Sequence, residues 1–193
     1  MYFVKTTKMY KNQFASSLLS LLTFVMIMVL ACPAYSDTAR EIDVSVDVTL
    51  ERFKKEIPGA DSFLREGKGI LIFPQVIKVG IGIGGEYGEG ALRIGGKSVE
   101  YCSTMAASIG FQLGAQAKSI VLVFTKADAL KQFRSSDGWK AGVDGSVALI
   151  SLGMGDSLDT INVKDPIVAF VFGQKGLMYN LTLEGSKFSK LKK

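Results

Sequence analysis

The sequence contains no histidine in its 193 residues, and it has only two cysteines and one tryptophan. Without an imidazole the chain cannot form a Ser-His-Asp triad, a Cys-His pair, an HExxH zinc site or a histidine acid-base catalyst. The most common hydrolase mechanisms are therefore excluded. We expect a protein that is not an enzyme and that has no cofactor.

Residues 1–36 have the pattern of a targeting segment. Three lysines precede the apolar run FASSLLSLLTFVMIMVLAC, and small residues follow it as far as Ser36. A basic start, an apolar centre and a small-residue end are typical of a signal peptide, here cleaved before Asp37. The sequence thus predicts an exported protein, located in the periplasm or at a membrane.

Two other fates of this segment stay open. The stretch VLAC, which ends at Cys32, resembles a lipobox, and Cys32 would then become the acylated first residue of a lipid-anchored protein. Alternatively, Leu18 to Ala31 and its flanks approach the length that spans a bilayer, and the segment would remain as an anchor. Cleavage at Ser36 leaves Cys102 alone, so no intramolecular disulfide could form, and Cys102 is expected to be a small apolar residue in a strand.

The positive charge of the chain is concentrated in the targeting segment. The formal net charge is +5, and residues 1–36 contribute three lysines and no acidic residue, which leaves +2 on residues 37–193. A nearly balanced domain gives little support for nucleic-acid binding, which requires a strongly basic face.

Residues 37–193 read as helices followed by glycine-rich strands. The pattern predicts a helix over residues 40–56, a short helix capped by Asp61 that ends at Gly67, and an inserted helix over Lys126–Ser136. The predicted strands are GILIFPQVI, VGIGIGGEYGEGAL, SVEYCSTMAASIGFQLGAQ, SIVLVFT, AGVDGSVALISLG, IVAFVFGQKG and LMYNLTLEGS. The fold class expected is α+β, with a glycine-rich, mostly antiparallel sheet that curls toward a barrel.

The stretch VGIGIGGEYGEG, residues 79–90, contains the G-x-G-x-x-G spacing of a dinucleotide-binding loop. Such a loop must open a helix, and the glycines that follow predict none, so no nucleotide cofactor is expected. Glycine instead alternates with Val79, Ile81 and Ile83, which leaves one face of a strand bare. Either the protein's own backbone or a lipid could cover that face.

Four stretches carry a resemblance to a known family. They are GILIFPQVIKVGIGIGGEYGEGAL, GFQLGAQAKSIVLVFT, FRSSDGWKAGVDGSVAL and GLMYNLTLEGSKF. In this order they resemble the SYLF domain family of lipid-binding and actin-regulating proteins and its secreted bacterial members. The resemblance implies a single SYLF-like domain over residues 37–193 that binds lipids or membranes in the bacterial cell envelope. An envelope structural or protein-interaction module is the alternative.

The resemblance also implies which partners to expect. Eukaryotic members bind phosphoinositide-containing membranes, and yeast members also bundle actin. Family membrane contact is attributed to an amphipathic N-terminal helix, whose counterpart here is the segment from Val46 to Ile57. An exported protein would not meet actin, so membrane lipids, especially anionic ones, are the expected partners.

Candidate lipid contacts are basic and aromatic residues beside apolar segments. They are Phe53, Lys54, Lys55, Lys68, Lys78, Arg134, Trp139 and Lys140. A structural interpretation stands beside each: the lysines alternate with glutamates as on a solvated surface, and Trp139 can pack against the inserted helix.

Two further features have alternative interpretations. Glu86 and Glu89 could act together as acid-base carboxylates or bind a divalent cation, although solvation of a turn is the simpler reading, and no metal site is predicted. The terminal stretch SKFSKLKK is expected to be a frayed, soluble tail, with attraction to a membrane as the alternative.

Overall fold

The structure is a computed structural model that describes residues 37–151, 165–176, 183 and 185–193. Its elements are α1 (Ala39–Glu56), α2 (Ala60–Glu66), β1 (Gly69–Ile94), β2 (Lys97–Phe124), α3 (Ala127–Ser135), β3 (Trp139–Lys140), β4 (Ala148–Ser151), β5 (Ile167–Gly176) and β6 (Lys187–Leu191). The predicted signal peptide, Cys32 and most of the strand predicted over LMYNLTLEGS lie outside the described residues.

Helix α1 begins with a capping box. The Thr38 hydroxyl accepts a hydrogen bond from the Glu41 backbone N–H at 3.3 Å, and the Glu41 carboxylate accepts one from the Thr38 backbone N–H at 2.8 Å. The buried residues Ile42, Val46 and Phe53 recur at helical spacing on one side. The helix predicted over residues 40–56 is confirmed, because these caps and contacts outweigh the alternating pattern of its first half.

The other two helices agree with the sequence except at one cap. Helix α2 follows Gly59, whose φ of 83° reverses the chain, and no side chain caps it, so the predicted Asp61 cap is wrong. Helix α3 confirms the predicted inserted helix and buries Leu130 and Phe133.

Strands β1 and β2 form one long antiparallel ribbon. Their pairing runs from Gly69 opposite Phe124 to Ile94 opposite Lys97, where Gly95 and Gly96 make the turn with φ of 58° and 79°. Each strand joins two strands that the sequence predicted separately. The register shifts between Phe73 and Val76 and again between Ile81 and Ile83. These irregularities let the ribbon bend without ending.

The remaining strands extend the ribbon along the free edge of β2. Strand β6, followed by β3, pairs with the first half of β2 at Tyr101–Met105, and β5 pairs with the second half at Gln116–Phe124. Strand β4 lies beside β5 in parallel. The predicted α+β class, with a mostly antiparallel and strongly curled sheet, is confirmed.

Two predictions in the second half of the chain are wrong. The terminal stretch is not a frayed tail, because Lys187–Leu191 is strand β6 and its Phe188 is buried in the core. The strand predicted over AGVDGSVALISLG begins only at Ala148, since Gly142 has a φ of 79° and its N–H donates to the carbonyl of Gly145.

Two apolar clusters stabilise the fold, one on each face of the sheet. The inner cluster lies within the curl and joins both halves of the ribbon to α3; its largest members are Leu71, Phe73, Leu92, Ile120, Leu122, Phe124, Phe133, Trp139 and Phe188. The outer cluster lies between α1, α2 and the sheet; it includes Ile42, Val46, Phe53, Ile72, Ala91, Val121, Val123, Val168 and Phe170.

The bare face of the glycine-rich strand is covered by the protein's own backbone. A Cβ atom at Gly90 would overlap the carbonyl oxygen of Ile72, and one at Gly88 would lie 2.7 Å from the carbonyl oxygen of Gln75. The second half of β1 therefore crosses directly over its first half. Only glycine permits so close an approach of two backbones.

Candidate functional site

The predicted membrane helix has its apolar face in the core. Phe53 is fully buried, and its ring centroid lies 5.0 Å from that of Phe170. Lys54 and Lys55 are exposed on the opposite side, where the Lys54 ammonium lies 3.1 Å from the Glu51 carboxylate. The lysines can reach a headgroup, but Phe53 cannot do so in this conformation, so its assignment as a surface contact is corrected.

Lys68 and Lys78, the next two predicted lipid contacts, lie in different environments. Lys68 is exposed just after α2, and its backbone N–H donates to the carbonyl of Phe124. Lys78 is only 4% exposed, because it occupies an inward-facing position of β1 opposite Gln116. Lys78 is therefore an interior residue rather than part of the basic surface.

Trp139 is a core residue as well. It is 1% exposed, and its ring centroid lies 5.7 Å from that of Phe133 on α3. The structural interpretation of this tryptophan is thus the correct one, and it offers no ring to a membrane interface. Its predicted companions remain at the surface: Arg134 Nε lies 2.8 Å from a Glu100 carboxylate oxygen, and the Lys140 side chain is exposed.

Glu86 and Glu89 do not form a carboxylate pair. Residues three apart in a strand point to opposite faces, and the structure follows that rule. Glu86 points inward, with Oε2 at 3.0 Å from the Lys118 ammonium, while Glu89 lies 2.7 Å from the Lys193 ammonium and accepts the Tyr87 hydroxyl hydrogen bond. Across the described ranges, no cluster of three potential metal-ligating side chains occurs.

The bend of the ribbon has a polar interior that the sequence reasoning missed. Lys78, Glu86, Gln116 and Lys118 are all buried there. Glu86 and Lys118 form an ion pair in which both side chains are at least 96% buried, and the second Glu86 oxygen has no hydrogen-bond partner in the structure. Because an unpaired buried charge is costly, this pair holds the two layers of the bend together.

The outside of the same bend is apolar. Five side chains there, which we term the outer stripe, are between 44% and 72% exposed: Ile77, Val79, Ile83 and Tyr87 of β1 and Met105 of β2. Alternation of Val79 and Ile83 with glycine was visible in the sequence and predicted that such residues share a face. The sequence pattern did not predict that this face is exposed to solvent.

Cys102 is confirmed as a buried residue of β2. Burial is the main cause that raises its pKa to about 12, and the nearby Glu100 carboxylate adds to the shift. Burial and the raised pKa both disfavour the thiolate, which is the reactive form of cysteine.

Comparison with known proteins finds a similarity over part of this chain. Residues 105–193 match the family model described as Ysc84: Las17-binding protein actin regulator. The match starts within β2, so α1, α2 and β1 precede it. A search of curated proteins returned no match. Among the helices of the described ranges, none is both long enough and apolar enough to cross a bilayer.

Proposed function

Because residues 105–193 match the Ysc84 family model, which is consistent with the resemblance to the SYLF domain family, we propose that this protein is a non-enzymatic lipid- or membrane-binding domain of the bacterial cell envelope. The family match carries the proposal, since this family is associated with lipid binding and actin regulation. The predicted signal peptide supports export to the periplasm or a membrane surface. Export would keep the protein away from actin, so actin regulation is not part of the proposal.

Exposed basic residues support a preference for anionic lipids. Lys54, Lys55, Lys68 and Lys140 all have exposed side chains. A basic residue close to an anionic membrane contributes about 1 kcal/mol, and salt screens this attraction. The ion pair with Glu51 reduces the contribution of Lys54.

Vesicle co-flotation tests the proposal directly. Residues 37–193 form a compact unit that contains both apolar clusters, so this fragment can be used without the apolar leader. We expect co-flotation with vesicles of phosphatidylglycerol and phosphatidylcholine at low salt, and much less with phosphatidylcholine alone or at high salt. A fragment that unfolds cooperatively but floats with neither vesicle would contradict the proposal.

An envelope structural or protein-interaction module is the second candidate, because the outer stripe could equally meet a protein. Deleting residues 37–57 would not separate the two functions, since Ile42, Val46 and Phe53 belong to the core and their loss would unfold the sheet. Crosslinking in intact cells does separate them. A stoichiometric protein adduct, together with no vesicle binding, would favour this candidate.

The intact mass of the mature protein tests the proposed route of export. Cleavage before Asp37 gives the mass of residues 37–193. An acylated Cys32 gives a heavier species that begins at that residue, and an anchor that is not cleaved leaves the full mass. The first result would mean that any membrane attachment is intrinsic to the folded domain.

A further inference from the structure

The outer stripe lies on the face of the sheet that α1 covers elsewhere. In β1, Ile72 and Ala91 belong to the cluster beneath α1 and α2. Between them, after the register shift at Pro74, exposed side chains occur at Ile77, Val79, Ile83 and Tyr87, and none of these is part of the cluster beneath α1 and α2. The apolar face of the sheet thus continues beyond its helical cover and ends in solvent.

The ribbon has the reverse of the pattern expected for a sheet in water. A sheet with one solvated face normally places polar side chains outward and apolar ones inward. Around the bend the inward positions hold Lys78, Glu86 and Lys118, while Ile83 is 72% exposed. Contiguous exposed apolar residues of this kind mark a surface that meets an apolar partner.

Lysines flank the outer stripe at both ends. Met105 of β2 lies between two pairing partners, Tyr87 of β1 and Lys187 of β6. On the far side of β6, Lys187 pairs with Lys140 of β3. Directly opposed residues share a face of the sheet with their Cβ atoms about 5 Å apart. All of these lysine side chains are exposed.

The other end of the stripe has the same arrangement. Ile77 lies opposite Ala117, and Ala117 lies opposite the exposed Lys175 of β5. Two carboxylates lie near Tyr87 in the described ranges: Glu89 is bound by Tyr87 and Lys193, and Asp37 interacts electrostatically with Tyr87. An apolar strip with cations on both sides complements a bilayer whose headgroups are anionic.

We propose that the outer stripe, and not the N-terminal helix, enters the interfacial region of an anionic lipid bilayer. Ile83 and Met105 contact the acyl-chain boundary, and Lys140, Lys175 and Lys187 contact the headgroup phosphates. This inference rests on the proposed lipid-binding function and specifies the surface responsible. Helix α1 is unsuited to insertion because its apolar side packs on the sheet.

A pair of matched double variants locates the contact. Ile83→Ser with Met105→Ser removes the centre of the outer stripe, while Val44→Ser with Val48→Ser alters the outward side of α1 at residues that are 58% and 57% exposed. Losing one half-buried apolar side chain weakens partitioning by roughly tenfold. We expect the stripe variant to lose most binding to phosphatidylglycerol vesicles and the helix variant to stay within about twofold of wild type. The opposite ranking would overturn the proposal.

A fluorescent label tests the same contact without weakening it. In the fragment of residues 37–193, which lacks Cys32, Ile83→Cys and Val48→Cys can each be labelled with a polarity-sensitive dye, because Cys102 is buried and does not compete for the reagent. On vesicles, the label at position 83 should shift to the blue and be quenched by brominated acyl chains. The label at position 48 should do neither. A label at position 83 that stays in water while the protein is bound would refute the insertion.

The lysines provide an independent test. Lys175→Gln and Lys187→Gln should each reduce binding to anionic vesicles by about fivefold and lessen its dependence on salt. If wild type binds no vesicle, the proposed function itself fails. If wild type binds but the stripe variant and the two lysine variants bind equally well, only this location fails. A third outcome is that wild type self-associates and the stripe variant does not, while both bind vesicles equally. The stripe would then contact a second copy of the chain, and the proposal would be overturned.

Discussion

Replacing Gly90 with alanine would place a methyl group inside the backbone of the strand that it crosses. The added Cβ would overlap the carbonyl oxygen of Ile72 and would lie 2.8 Å from both the Ile72 carbonyl carbon and the Phe73 ring. Relieving this clash requires the two layers of β1 to move apart. Leu71, Ile72 and Phe73 are all completely buried, so that movement would disturb both apolar clusters.

The size of the effect follows from this geometry. Overpacking a core costs about 1–3 kcal/mol, and a clash with backbone belongs at the upper end of that range. For a domain of this length, each kcal/mol lowers Tm by roughly 2–4 °C. We therefore expect Gly90→Ala to lower Tm by about 6–12 °C, measured by circular dichroism. Urea unfolding should show a lower midpoint with an unchanged slope, which identifies a loss of stability rather than of structure.

Gly85→Ala is the matched control on the same strand. The nearest atom to a Cβ at Gly85 is the carbonyl oxygen of Ala106 at 3.8 Å, an ordinary contact. Alanine there should leave the stability unchanged or raise it by about 0.5 kcal/mol, because it restricts the unfolded chain. Equal unfolding temperatures for Gly90→Ala and Gly85→Ala would refute the close crossing of β1 over itself at Gly90.

Three further predictions concern single contacts. Glu86→Gln or Lys118→Met leaves one buried charge unpaired, so each should lower the free energy of unfolding in urea by about 3–5 kcal/mol. The double variant should recover part of this loss. If the double variant lost the sum of the two single losses, Glu86 and Lys118 would not interact directly. Stability should fall above about pH 9, because Cys102 keeps its proton in the folded state, where burial raises its pKa to about 12, while the unfolded chain releases it. The slope should approach 1.4 kcal/mol per pH unit and become flatter in Cys102→Ala; an equal slope in that variant would rule out this cause. Thr38→Ala should cost about 1 kcal/mol through loss of the cap on α1, and unchanged thermal unfolding would refute the capping box.

Local patterns were sufficient to predict the helices and the class of the fold. Helical spacing placed α1 and α3, and β-branched runs placed most of the strand residues. The joining of GILIFPQVI and VGIGIGGEYGEGAL into the one strand β1 was not predicted. The first of these predicted strands did run through Pro74, although proline normally ends a strand. A distant residue accommodates it: the Ser119 hydroxyl donates to the Pro74 carbonyl at 2.8 Å within the register shift.

The candidate site was harder to predict because exposure depends on contacts between distant segments. Phe53 and Trp139 have sequence neighbours typical of interfacial residues, yet α1 packs on β5 and Trp139 meets Phe188 of β6. Strand β6 itself was missed because three of the residues in its KFSKL sequence are polar, and only pairing with Tyr101–Met105 makes Phe188 a core residue. Sequence composition identified the right kinds of residue, whereas the packing decided which of them reach the surface.

The two sides of β1 should therefore be separable in experiments on neighbouring residues. The inward positions carry the glycine crossing and the Glu86 ion pair, so changes there should lower stability. The outward positions, represented by Ile83, are largely in solvent already and contribute little burial to the folded state. Ile83→Ser should then weaken vesicle binding with a Tm close to wild type. Gly90→Ala should lower Tm yet bind vesicles normally at temperatures where it remains folded. If the two losses always occurred together, binding would depend on the integrity of the whole fold rather than on the outer stripe.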